Sequence, residues 1–114
     1  MTTNQAINRA DGLRPNAIDK QTKLEWLMEI EGQLRCFMEL DPLDGYLSED
    51  AVLCVSPPFD NIYYLYLCAR IDHAQQDSDL YFNDSVMFNG ALERAKQWHR
   101  QHNLPKNCGN WRIG

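Results

Sequence analysis

The sequence predicts an all-α protein, a small bundle of about four helices. Apolar residues recur at spacings of three and four along most of the chain. The stretches between these runs carry Pro, Gly, Asn and Asp, the residues of turns and helix ends. Between Pro57 and Pro105, two long antiparallel helices fold against each other, and the rest packs on them.

Taken in order, Thr2 or Thr3 caps a first helix over about 4–11, with Ala6, Ile7 and Ala10 as its apolar side. Gly12 offers a stop, and Pro15 pushes Arg14 out of the helical region. Asp19 or Thr22 opens the second helix, and Thr22 with Glu25 fits a capping box. Leu24, Leu27, Ile30, Leu34 and Phe37 form its buried stripe, while Lys23, Glu29, Glu31 and Arg35 mostly point elsewhere. Gly32 costs about 1 kcal/mol relative to Ala unless a partner helix needs close approach there. The helix fades near Leu40, before Pro42.

Residues 41–56 form an irregular loop. Asp41-Pro42-Leu43-Asp44-Gly45 is turn chemistry. Ala51-Val52-Leu53-Cys54-Val55 is a short apolar run, open between a regular strand and an isolated extended segment. Pro57 and Pro58 suit the first turn of a third helix. Its apolar residues, Ile62 to Ile71, lie on nearly all sides, so it is either central in the bundle or meets another chain. A polar turn at 75–79 separates it from a fourth helix over 80–102, with one kinked continuous helix as the alternative. The fourth helix carries Tyr81, Phe88, Leu92, Ala95 and Trp98 as its stripe, with Phe82, Val86 and Ala91 beside it. Residues 1–105 read as a single helical domain and 106–114 as a flexible C-terminal tail.

The chain has 114 residues, enough for one modest core, and a formal net charge of −5. That balance argues against a grip on nucleic-acid phosphates, which needs clustered Lys and Arg. Cys36, Cys54, Cys68 and Cys108 form no C-x-x-C pair, and no secretory signal is visible, so free thiols are expected. No apolar run approaches the roughly 20 residues that span a bilayer.

Nothing in the sequence forms a catalytic constellation, and we expect no enzyme, cofactor or metal. His99 and His102 stand at i, i+3 but lack a third ligand. Asp72 and His73 are adjacent and diverge on a helix. The acidic residues Asp41, Asp44, Glu49 and Asp50 lack the ligand order of a calcium loop. Tyr63, Tyr64 and Tyr66 are candidates for a subunit interface, where Tyr is enriched. Trp111, flanked by Arg112 and Ile113, has nothing local to cover it and is a candidate for docking on a partner.

Three stretches resemble small helical proteins encoded among the head genes of long-tailed bacteriophages and prophages, the head–tail connector or adaptor class. The first is Ile7-Asn8-Arg9-Ala10-Asp11-Gly12-Leu13-Arg14-Pro15-Asn16 with Lys23 to Gly32. The second is Pro57-Pro58-Phe59-Asp60-Asn61-Ile62-Tyr63 with Tyr66-Leu67 and Ala69-Arg70-Ile71-Asp72. The third is Tyr81-Phe82-Asn83-Asp84-Ser85-Val86-Met87-Phe88-Asn89, ending near Leu104-Pro105. The resemblance implies a virion protein that joins a homo-oligomeric ring beneath the portal, extends the DNA channel without binding DNA specifically, and docks the next connector or tail component. Before assembly it would sit in the host cytoplasm, a monomer on its own and a ring only once assembled. By the same likeness, the acidic loop residues would face the channel or the next ring, and Trp111, Arg112 and Ile113 would clasp the portal. A small dimeric intracellular regulator that binds one protein partner is the competing reading.

Overall fold

The computed structural model describes residues 1–43, 45 and 47–102. Four helices follow one another: α1 (Thr3–Leu13), α2 (Lys20–Phe37), α3 (Asn61–Ala74) and α4 (Ser78–His102). This is the small all-α bundle expected. The apolar run at 51–55 forms no strand. Its extended pairing among the described residues is an isolated antiparallel bridge between Thr2 and Val52.

Each boundary has a local cause. The Thr2 hydroxyl accepts from the Gln5 N–H, and the Gln5 side chain accepts from the Thr2 N–H, a reciprocal capping box. The next two free N–H groups of α1 go to the loop: Thr3 donates to the Ala51 carbonyl and Asn4 to that of Glu49, both at 3.0 Å. Gly12 does not stop the helix. It ends at Leu13 because Pro15 holds Arg14 at φ −133°, ψ 85°. Asp19, not Thr22, caps α2 by accepting from the Thr22 N–H at 3.1 Å. Thr22 is thereby inside the helix, and the Thr22–Glu25 box is not used.

The ends of α2 and α3 are built alike. Glu39 and Gln76 take left-handed φ values of 57° and 59°. After α2, Leu40 donates to the Arg35 carbonyl and Glu39 to that of Cys36; after α3, Asp77 donates to Asp72 and Gln76 to His73. These are two Schellman motifs, each satisfying two otherwise orphan carbonyls. Pro57 and Pro58 do not open α3. They lie in a turn closed by Phe59 N–H to the Ser56 carbonyl, and α3 begins at Asn61.

α3 is central. Ile62, Tyr63, Leu67 and Ile71 are fully buried, packed with Ala6 and Ile7 of α1 and Leu27, Ile30 and Leu34 of α2. α4 runs antiparallel to it, as a ladder of ring pairs shows: Phe59 meets Trp98, Tyr66 meets Phe88 and His73 meets Tyr81, with centroids 5.3–5.6 Å apart. Only part of the expected α4 stripe is covered. Ala95 is buried and Phe88 and Leu92 pack on the core, but the stripe residues Tyr81 and Trp98 are exposed; beside the stripe, Ala91 is buried while Phe82 and Val86 are exposed.

Candidate functional site

Two buried polar clusters and one apolar groove stand out. In the first cluster, Glu31 of α2 is fully buried, contrary to its expected outward position. Its carboxylate accepts from the Tyr63 hydroxyl at 2.7 Å, the Cys54 N–H at 2.9 Å and Arg35 Nε at 3.0 Å. The Tyr63 hydroxyl in turn accepts from the Val55 N–H at 3.0 Å. A loop that pairs with no sheet therefore has its backbone donors satisfied by side chains of α2 and α3. Burial, then the hydrogen bond to Glu31, pushes the Tyr63 phenol far up, so it stays a donor. Burial likewise holds the Cys54 thiol up to about 11 and the Cys68 thiol up to about 12, so both stay protonated.

The second cluster joins three helices. Arg14, at the end of α1, makes a two-pronged contact with Asp84 of α4, Nε to Oδ2 at 3.0 Å and Nη2 to Oδ1 at 2.9 Å. Its Nε also lies 3.2 Å from Oδ1 of Asp72 of α3. Asp72 is 0% exposed, and neither of its oxygens accepts a hydrogen bond. One guanidinium thus serves two carboxylates. Burial first, then a hydrogen bond to Asp84 and repulsion from it, pushes the Asp72 pKa up to about 7. As an acid, Asp72 carries no charge, which removes the surplus negative charge.

The groove lies where the end of α2, the 54–59 segment and the last turns of α4 meet. It encloses about 80 Å³ and is floored by Leu34, Phe37, Val55, Phe59, Ala95 and Trp98. Lys96 and Arg100 stand over the Phe37 ring, 5.3 and 5.5 Å from its centroid. The arrangement suits an apolar group carried by an acidic surface, since cations at the lip attract carboxylates while the floor excludes water.

The candidates from the sequence divide. Tyr63 is 0% exposed and committed to Glu31 and Val55, so it is removed from any subunit interface. Tyr64 is half-buried under Arg9, and Tyr66 packs on Phe88 and bonds with Arg70 and Glu29. Asp41, Glu49 and Asp50 are exposed, with Glu49 paired to Lys20 at 2.6 Å. Asp44, Trp111, Arg112, Ile113, Cys108 and the tail at 106–114 lie outside the described residues. His99 packs on Phe37, and His102 stacks on Trp98 with Nδ1 2.9 Å from the Trp98 carbonyl. Among the described residues no three His, Cys, Asp or Glu side chains converge as a metal site, and no helix is long and apolar enough to cross a membrane.

Glu31 and Asp84 went unread, although their spacing signals both. Glu31 stands four residues after Leu27 and three before Leu34, on the apolar stripe. Asp84 stands three after Tyr81 and four before Phe88. An acid at a stripe position calls for a buried partner. The chain matches no family model, no curated protein and no solved structure.

Proposed function

We propose that this protein is a structural subunit of a phage head–tail connector, assembling in a ring below the portal and docking the next connector or tail component. The observation that carries this reading is the uncovered apolar face of α4. Phe82, Val86 and Met87 are 67%, 54% and 56% exposed, where a monomer of this size has ample reason to keep them covered. A surface of this kind suits a subunit that buries more on assembly. The net charge of −5 suits a channel through which DNA slides, because a basic wall would hold phosphates through counterion release. The exposed Asp41, Glu49 and Asp50 suit an edge facing the channel or the next ring. The resemblance in the three stretches above supports the same reading.

The apolar groove favours a second reading, a helical module that holds one protein partner. Portal-bearing, DNA-filled capsids lacking the protein separate the two. Incubation with the purified chain is expected to add ring density beneath the portal when the vertex is imaged. Bare vertices would overturn the connector reading.

A further inference from the structure

The groove is a basic recess in a chain whose net charge is −5. Of the described residues that line it, Lys96 and His99 carry basic groups and none is an Asp or Glu. Arg100 stands with Lys96 over the Phe37 ring, and neither cation forms an ion pair among the described residues. The nearby acids do not cancel them. Glu31 reaches Cys54, but its carboxylate is committed to Tyr63, Cys54 and Arg35. Glu39 and Asp41 follow α2 and line no part of the groove. Exposed Glu93, one turn before Lys96, is the one acid in residues 91–102, against Arg94, Lys96 and Arg100. Size narrows what fits. The groove encloses about 80 Å³, about half of an apolar cavity that takes a benzene ring. One branched aliphatic side chain matches that space, and an indole exceeds it.

We infer that the groove holds a single leucine- or isoleucine-sized side chain from an acidic segment of another protein, with carboxylates beside it meeting Lys96 and Arg100. An apolar anchor in a small pocket with polar groups at its rim is a common form of protein recognition. Here the lip sets the sign of the partner, because unpaired cations attract a carboxylate and repel another cation. The chain's own segments fit less well. Residues 103–114 carry Lys106 and Arg112 and no acid, and Trp111 is larger than the space. Val52 of a second copy is 72% exposed and follows Glu49 and Asp50. Its side chain is one methylene smaller than leucine, and Glu49 is already paired with Lys20 at 2.6 Å. The inference names the partner's chemistry for the second reading above, a module that holds one protein, and rests on that reading.

Amide-resolved NMR of the full chain tests this. The probe is a short peptide with one Leu between runs of Asp and Glu. It is added up to about 5 mM, because one anchor and a few charge pairs supply only weak affinity. Shifts are expected at the amides of Phe37, Val55 and 95–100, and they shrink as salt is added. Three counterparts of the peptide carry Gly for the Leu, Trp for the Leu, or Lys for the acids, and each is expected to bind about tenfold more weakly or worse. Lys96→Gln with Arg100→Gln removes the lip charges and is expected to weaken the acidic peptide by a similar factor; circular dichroism checks its helicity, and Lys96→Gln alone replaces it if it fails to fold. A basic peptide that binds as well as the acidic one overturns the acidic partner and leaves the module reading standing. A Gly or Trp counterpart that binds as well overturns the aliphatic anchor. No shift with any peptide overturns this proposal and the module reading together. Groove amides that move on dilution of the chain alone assign the groove to a second copy. Peptide binding that appears only when residues 103–114 are removed assigns it to the chain's own C-terminal segment. Either result overturns the proposal.

Discussion

Asp72 is the residue whose chemistry depends most on its surroundings. It faces Arg14 from α1, Asp84 from α4 and Asp77 from the turn, so one cation meets three acids. Its pKa is raised from an ordinary carboxylate value to about 7, so the folded state holds a proton that the unfolded chain has released. The stability this supplies is complete below about pH 4 and is lost as pH rises through 7. Asp72→Asn keeps the shape and never ionises, while Arg14 retains both bonds to Asp84. The variant is expected to flatten the pH dependence of the urea midpoint between pH 5 and 8, and to be more stable than wild type at pH 8 by roughly 1–3 kcal/mol. A wild-type midpoint that does not fall over this range, or a variant less stable at pH 8, would show that Asp72 is ionised throughout and held by Arg14.

At the scale of elements, the helix ends carry the clearest energetics. Gln76 takes a left-handed φ of 59°, which costs a residue with a Cβ about 1 kcal/mol. Gln76→Gly is expected to raise stability by about 0.5–1 kcal/mol, because it keeps the two Schellman bonds and removes the steric cost. Gly32 shows the opposite case. It lies inside α2, and a Cβ built there meets nothing within 4 Å, so no close approach requires glycine. Gly32→Ala is expected to add about 0.5–1 kcal/mol through the unfolded chain. Urea melts of both variants check this, and a loss in either would point to a constraint on that backbone beyond the helix itself. These sites also explain what the sequence disclosed. The four helices were legible from apolar spacing, and the Pro15 boundary from proline sterics. The two Schellman ends were not, since Glu39 and Gln76 stand where glycine is the usual signal. The 51–55 run kept its ambiguity for a related reason: what satisfies its backbone is Tyr63 and Glu31, far away in sequence. Of the candidate surfaces, exposed Asp41, Glu49 and Asp50 were legible as polar loop residues. The groove was not, because it forms only when α2, the 54–59 segment and α4 meet.

The described residues form a slab of 50 × 31 × 19 Å, about two helix diameters thick. α3 lies against α1, α2 and α4, and α1 lies against α2. The backbone of α4 packs along α3 alone among the helices, reaching α1 and α2 through side chains such as Asp84 with Arg14 and His99 with Phe37. This asymmetry has a dynamic consequence. α3 cannot open without uncovering every other helix, whereas α4 can detach while α1, α2 and the buried Glu31–Tyr63 cluster stay closed. Regions attached by one face open at lower free energy than the global unfolding reaction. Native-state hydrogen exchange in low denaturant is therefore expected to divide the chain. Amides of Ile62–Ile71 follow global unfolding, with a steep dependence on denaturant. Amides of Ala91–Ala95 exchange through a smaller opening with a shallower dependence, and Asp72→Asn at pH 8 moves them closer to the global value by relieving repulsion between α3 and α4. Equal free energies and slopes for α3 and α4 would show that the Arg14–Asp84 bridge and the aromatic ladder bind α4 as firmly as the core binds α3. The chain would then unfold as one cooperative unit.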